Sequence, residues 1–140
     1  PRAPMIDRLR VVVADDSVLL REGVASLLTE TGMHVAATAA DPHALLAHVD
    51  QYAPDVAIVD IRMPPTHTTE GLQAAKQIRE ASPKMAILLV SQYLETRYAV
   101  DLFGEDARGL GYLLKQRIHD IPQFVDAVRR VASGGCVVDP

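Results

Sequence analysis

Short apolar segments alternate with helical segments along this chain, and this alternation restricts its fold more than any other feature. Five runs rich in Val, Ile and Leu predict strands at residues 9–14, 34–39, 55–60, 85–91 and 111–114. Continuous apolar strands separated by amphipathic helices are typical of a parallel sheet that is covered by helices on both faces. The pattern therefore predicts an α/β domain.

Helices are predicted after each of these strands, where apolar residues recur three or four positions apart. The positions are Leu20, Val24, Leu27 and Leu28; Leu45, Leu46 and Val49; Leu72, Ala75 and Ile78; a less regular segment at 98–103; and Ile121, Phe124, Val125, Val128 and Val131. Five βα units in 140 residues fit one domain. We expect a flavodoxin-like (βα)5 doubly wound parallel sheet with strand order 2-1-3-4-5.

Polar side chains occur where these predicted strands end. Asp15 and Asp16 follow the first strand, Asp60 closes the third, Ser91 closes the fourth and Lys115 follows the fifth. Doubly wound sheets bind ligands outside the carboxyl ends of their strands, where the strand order reverses, here between strands one and three. Three carboxylates are therefore expected to meet in one pocket, flanked by the serine and the lysine.

Neighbouring carboxylates repel one another, and burial makes each charge costlier, so a cation is expected among them. Mg²⁺ (or Mn²⁺) suits such a site, because these ions prefer oxygen ligands. An aspartate beside a metal ion, a hydroxyl and Lys115 can attack phosphorus and form an acyl phosphate. A simpler interpretation of Asp15 and Asp16 is a helix cap with a solvated neighbour, although Ser17 can supply that cap.

Four stretches, "VVVADDS", "DVAIVDIRMP", "LLVSQ" and "GYLLK", resemble in this order the receiver domain of two-component response regulators. The resemblance covers about residues 9–133. It implies that Asp60 is the phosphoacceptor and that Asp15, Asp16 and Asp60 bind Mg²⁺ together with the backbone carbonyl of Arg62. A domain of this kind phosphorylates and dephosphorylates itself and is not an enzyme that turns over an external substrate.

The same resemblance assigns the phosphoryl-binding and switch residues. Ser91 is expected to hydrogen-bond the phosphoryl group, Lys115 to bind it, and Tyr112 to act as an aromatic rotamer switch. The loop "PPTHTTEG" after Asp60 is longer than is usual in this family, and we expect its His67 to overhang the pocket. The five histidines show no metal-ligand spacing and are otherwise interpreted as surface residues.

The stretch "GYLLK" and the tail "FVDAVRRVASGGCVVDP" resemble the NarL/LuxR class, in which a receiver precedes a DNA-binding helix-turn-helix domain. We therefore assign residues 1–8 to an N-terminal extension or cloning remnant, 9–134 to the receiver, and 135–140 to the start of a linker to an absent DNA-binding domain. The implied partners are a sensor histidine kinase, that C-terminal domain and, after phosphorylation, a second copy in a homodimer.

Charge and hydropathy exclude several classes of function. A net charge of −4 without a run of Lys or Arg predicts no direct nucleic-acid binding by this chain. The longest apolar run, residues 85–90, is too short to span a bilayer, and the N-terminus lacks a signal-peptide core, so a cytoplasmic protein is expected. A single cysteine, Cys136, excludes an internal disulfide.

Rival functions fit the motifs less well. A haloacid-dehalogenase-type phosphatase would need its two acids two residues apart after the first strand, whereas Asp15 and Asp16 are adjacent. A flavin or dinucleotide module would need a glycine-rich loop where this chain has acids. The remaining alternative is a receiver-like interaction module that works without phosphorylation.

Overall fold

Six parallel strands form a single sheet in the part of the chain that the computed structural model describes, residues 8–92 and 107–138. The strands are β1 (Arg10–Ala14), β2 (His34–Ala39), β3 (Val56–Asp60), β4 (Ala86–Ser91), β5 (Leu110–Leu114) and β6 (Val137–Val138). Their order is β2-β1-β3-β4-β5-β6, and every neighbouring pair is parallel. The predicted order 2-1-3-4-5 is confirmed.

The helices cover both faces of this sheet. We number those in the described residues α1 (Val18–Glu30), α2 (Pro42–Tyr52), α3 (Glu70–Ala81) and α4 (Ile121–Ala132), and a 3-10 turn occupies Lys115–His119. The helix predicted around residues 98–103 lies outside the described residues. None of the helices in 8–92 and 107–138 has both the length and the apolar character required to cross a membrane.

Alternate residues of each central strand point to opposite faces and divide the core in two. In β3, Ala57 and Val59 pack with α2 and α3, whereas Val56 and Ile58 pack with α1 and α4. All five residues of β3 and all six of β4 are buried, as expected for central strands covered on both faces. The doubly wound architecture is therefore confirmed.

Side-chain caps mark the start of three of these helices, at Ser17, Asp41 and Asp120. The Oγ of Ser17 accepts a hydrogen bond from the Leu20 N–H at 3.3 Å, and Asp41 accepts one from the Ala44 N–H at 2.8 Å. Each cap satisfies an amide that the first helical turn leaves without a partner. The Ser17 cap starts α1 directly after the two acids, so neither acid is needed as the capping residue.

The two-residue strand β6 was not predicted. Val137 pairs with Gly111 and Val138 with Tyr112, so this segment extends the sheet beyond β5. Two residues carry no detectable period, which is why the strand cannot be recognised from the sequence. The segment lies within residues 135–140, and the boundary at residue 134 stays a prediction.

Candidate functional site

The three aspartates that were expected to meet do so at the carboxyl end of the sheet. One oxygen each of Asp15, Asp16 and Asp60 lies within 4.8 Å of the other two. Their proximity follows from strand order, because β1 and β3 are direct neighbours and both end here. Asp15 and Asp60 are each only 3% exposed. Two of the three charges are therefore held away from water.

Lys115 joins this cluster from the end of β5. Its Nζ lies 3.2 Å from Oδ2 of Asp15 and 3.2 Å from Oδ2 of Asp60. The Lys115 side chain is 16% exposed, so both ion pairs are only weakly screened by solvent. One ammonium group thus compensates part of the repulsion between the two buried carboxylates.

Burial sets the protonation of the central carboxylate. Loss of solvent and the nearby charge of Asp15 raise the pKa of Asp60 to about 6, against the opposing pull of Lys115. Burial alone would lower the pKa of Lys115, but Asp60 and Asp15 outweigh it and raise that pKa above its ordinary value. At neutral pH Asp60 is therefore mostly ionised beside a charged lysine.

Replacement of Asp60 by asparagine is expected to stabilise the metal-free protein at pH 7. The pKa of Asp60 is about 6 in the folded chain against 3.8 for an ordinary aspartate, so the folded state binds more protons between these values. Ionisation of Asp60 therefore destabilises the fold as the pH rises through this window. We expect a gain of about 1–2 kcal/mol at pH 7, because asparagine resembles the protonated acid and carries no charge that burial would penalise.

Thermal melts without divalent ions, taken from pH 7.5 to pH 4.5, measure this effect. The advantage of Asp60→Asn should shrink as the pH falls below about 6. Asp50→Asn on the exposed surface of α2 is the matched control and should show no such trend. A gain for Asp60→Asn that is independent of pH would contradict the burial argument.

The adjacent acids Asp15 and Asp16 have different surroundings. Oδ1 of Asp15 accepts a hydrogen bond from the Ser17 N–H at 2.8 Å, and the Arg21 guanidinium donates to the Asp15 carbonyl at 2.8 Å. These contacts hold Asp15 inside the site. Asp16 is 31% exposed, and its Oδ2 lies 2.9 Å from Nε2 of His67. Asp15 therefore faces the lysine, and Asp16 faces the loop after β3.

That loop, residues 64–69, is held by the first residue of α3. The Glu70 carboxylate accepts hydrogen bonds from the N–H of Thr66 at 2.6 Å and of Thr68 at 3.0 Å, and it also contacts the Thr66 hydroxyl. The Thr66 side-chain contact contributes most to lowering the pKa of Glu70 to about 2. The loop is thus anchored at its own helix, with His67 at its tip.

The other predicted site residues lie as follows. Ser91 ends β4 and is 1% exposed, and the Arg62 N–H donates to Oδ1 of Asp60 at 3.3 Å. Tyr112 is 3% exposed, pairs with Leu89 across β4 and β5, and belongs to the core on the α2 and α3 side. The roles of the Ser91 hydroxyl, the Arg62 carbonyl and the Tyr112 ring stay predictions.

Two residues near the site were not among the predicted ligands. His67, which was expected to overhang the pocket, lies with its Nε2 2.9 Å from Oδ2 of Asp16, although histidine spacing predicted no ligand role. Gly71 lies in the first turn of α3, where its N–H donates to the Ile61 carbonyl at 2.9 Å, and a Cβ there would lie 1.8 Å from the carbonyl oxygen of Asp60. A glycine in the first turn of a predicted helix, next to a site residue, is the one signal that could have indicated this close approach.

The aspartate cluster fits a hard divalent cation. Its three carboxylates supply oxygen ligands, and one ammonium group leaves the cluster with a net negative charge. Mg²⁺ is commonly held by one or two carboxylates, with water or phosphate oxygens completing its octahedron. The residues present therefore suit Mg²⁺ or Mn²⁺.

Comparison with known proteins yields one family and a consistent set of relatives. The family model described as "Response regulator receiver domain" matches residues 11–129. The transcriptional regulatory protein YxjL of Bacillus subtilis (strain 168) is 34% identical over 94% of this chain and 57% of YxjL. The oxygen regulatory protein NreC of Staphylococcus carnosus (strain TM300) is 35% identical over 94% of this chain and 58% of NreC. The chain thus spans somewhat more than half the length of these relatives.

Solved structures agree with this result. The signal receiver domain of the response regulator NarL from Mycobacterium tuberculosis is 32% identical and superimposes with a TM-score of 0.69, covering 87% of this chain and 97% of that one. A LuxR-family two-component response regulator from Aurantimonas sp. SI85-9A1 gives a TM-score of 0.79 at 24% identity, over 96% and 91% of the two chains. The second likeness concerns the fold alone.

Proposed function

This chain belongs to the response regulator receiver domain family, with relatives of the NarL and LuxR type, and on that premise we propose that it accepts a phosphoryl group on Asp60. The observation that carries the proposal is the setting of this carboxylate. Asp60 is buried, it lies beside two further acids, and Lys115 approaches it to 3.2 Å. Such a group is both ionised at neutral pH and faced by a cation that can receive phosphoryl oxygens.

The transfer itself needs few protein groups. A carboxylate oxygen of Asp60 attacks phosphorus, and the bond from phosphorus to the donor's leaving atom breaks, with the electron pair staying on that atom. The donor is the phosphohistidine of a sensor kinase or a small acyl phosphate. Lys115 neutralises charge on the oxygens of the transferred group, which is the main requirement in phosphoryl transfer.

Asp15, Asp16 and Asp60, with the Arg62 carbonyl, would hold Mg²⁺ or Mn²⁺. Bound there, the ion supplies positive charge for the phosphoryl oxygens. Asp15 is already fixed by the Ser17 amide and needs little rearrangement to serve as a ligand. Metal dependence of the phosphorylation is therefore part of the proposal.

Ser91 and Tyr112 would couple phosphorylation of Asp60 to a conformational change elsewhere in the domain. Ser91 ends β4 one position beyond Val90, the register partner of Asp60, so its hydroxyl lies at the same edge of the sheet. A dianionic group on Asp60 would draw Ser91 and Lys115 toward it, and such a local charge change becomes a signal by biasing a surface elsewhere. We propose that Tyr112 on β5 changes its rotamer in response. Autodephosphorylation would return the domain to its unphosphorylated state.

The output we propose is control of transcription by a helix-turn-helix domain that follows this one. The support is that the curated relatives YxjL and NreC carry regulatory names and are each longer than this chain, which covers 57% and 58% of them. The proposed partners are a sensor histidine kinase, the DNA-binding domain and a second copy after phosphorylation. An interaction module independent of phosphorylation would need neither the buried Asp60 nor its lysine.

Incubation with Mg²⁺ and a small phosphodonor, followed by intact-mass measurement, tests the proposal. We expect one phosphoryl group to be added, and chelation of the metal with EDTA should prevent the addition. An unchanged mass in the presence of Mg²⁺ would favour the phosphorylation-independent module.

Mg²⁺ should also raise the melting temperature of the unphosphorylated chain. The ion binds only the folded aspartate cluster, so its binding free energy adds to stability. Replacement of Asp16 by alanine is expected to remove most of this increase. A thermal-shift titration from micromolar to millimolar Mg²⁺ measures the effect, with Asp50→Ala as the surface control. A flat melting temperature for the wild type would refute the metal site.

A further inference from the structure

We propose that His67 is a specificity-determining residue of the metal site, one that adds an imidazole ligand and so selects transition-metal ions over Mg²⁺. This inference rests on the proposed metal site at Asp15, Asp16 and Asp60 and concerns which ion that site prefers. The carboxylates alone suit hard cations. In the loop at residues 64–69, His67 is the one residue whose side chain can offer a nitrogen ligand to a metal ion.

The position of the His67 ring supports a ligand role. Nε2 lies 2.9 Å from Oδ2 of Asp16, and Asp16 is itself one of the three clustered acids. Two ligands at neighbouring corners of an octahedron with metal bonds of about 2.1 Å are roughly 3.0 Å apart. A metal ion can therefore contact both atoms without displacing either of them far.

The loop backbone holds the ring in this place. His67 has φ 57°, a left-handed conformation that few residues other than glycine adopt, and its N–H donates to the Met63 carbonyl at 2.9 Å. On the other side, Thr66 and Thr68 are bound to the Glu70 carboxylate. An exposed loop that carries this many contacts fixes the direction of its central side chain.

Ligand chemistry then predicts the preference. Imidazole binds Zn²⁺, Cu²⁺ and Ni²⁺ well, while Mg²⁺ favours oxygen and keeps much of its water. In the metal-free site Nε2 lies 2.9 Å from the Asp16 carboxylate, and a metal ion bound to both groups would take the place of this direct contact. A nitrogen ligand should therefore strengthen Ni²⁺ binding and leave Mg²⁺ binding nearly unchanged.

Isothermal titration calorimetry of the whole chain with NiCl₂ and, separately, MgCl₂ tests the inference. The informative variant is His67→Asn, because asparagine tolerates the left-handed conformation of this position but offers no imidazole. We expect Ni²⁺ affinity to fall about ten-fold or more and Mg²⁺ affinity to change less than about two-fold. His43→Asn, at an exposed position of α2, is the control and should change neither affinity.

Each other outcome overturns the inference. Equal losses of affinity for both ions would show that His67 only orients Asp16. A gain of affinity for both ions would show that the His67 ring occupies the metal position and must be displaced on binding. No change for either ion would leave the ring outside the site. Failure of the proposed function looks different, because the wild type would then bind Mg²⁺ no better than Asp16→Ala does.

Discussion

Phosphorylation of this chain is expected to stop when Asp60 is replaced by asparagine. The amide is a poor nucleophile, and the other two acids do not substitute for Asp60. Asp15 is held by the Ser17 amide and by Lys115, while Asp16 is turned toward His67. Intact-mass measurement after incubation with Mg²⁺ and a small phosphodonor should show one added phosphoryl group on the wild type and none on Asp60→Asn.

The matched control for this experiment is Asp50→Asn on the exposed surface of α2, which should be phosphorylated like the wild type. Circular dichroism and a thermal melt of Asp60→Asn should show a folded protein, since the variant is expected to be more stable in the absence of metal. Equal phosphorylation of Asp60→Asn and the wild type would assign the phosphoacceptor to another residue.

Replacement of Gly71 by alanine is expected to be among the most destabilising single substitutions near the site. The new Cβ would lie 1.8 Å from the carbonyl oxygen of Asp60 and 2.8 Å from its carbonyl carbon. Both are backbone atoms, so no side-chain rotation relieves the collision and α3 must move away from β3. We expect a loss of at least about 3 kcal/mol in the free energy of unfolding, together with weaker Mg²⁺ binding.

Gly23→Ala is the control, because Gly23 lies inside α1 and a Cβ there meets no atom within 4 Å. Alanine favours the helix more than glycine does, so this variant should gain about 0.5–1 kcal/mol. Urea denaturation of both variants measures the difference in free energy. The same stability for Gly71→Ala as for the wild type would show that α3 does not pack this closely against Asp60.

Local patterns were sufficient to predict the sheet and the meeting of the acids. Apolar strands alternating with amphipathic helices leave few arrangements, and a parallel sheet brings the carboxyl ends of its strands to one edge. Asp15 and Asp60 close neighbouring strands, so their proximity follows from strand order alone. The Ser17 helix cap was equally predictable, because a capping residue acts on amides two or three positions away.

Contacts between distant segments without a periodic pattern depended on the fold. Arg79 is 9% exposed and donates to the carbonyls of Met85 and Arg108, although a charged residue on a helix is ordinarily expected in solvent. His67 reaches Asp16 across 51 positions of the chain. Neither contact has a local signature, since each exists only once the packed strands and helices bring the two segments together.

The close approach of Gly71 to Asp60 and the pairing of β6 with β5 have the same origin. In the sequence, Gly71 indicates only a conformationally free backbone, and the two valines of β6 indicate no particular element. Their roles become clear only when the residues packed against them are known. Propensity and periodicity act over a few residues, so they determine the elements, their order and the edge where the acids gather. Burial and distance arise only in the folded chain. They determine the pKa of Asp60, the position of the His67 ring beside Asp16 and the space available at Gly71.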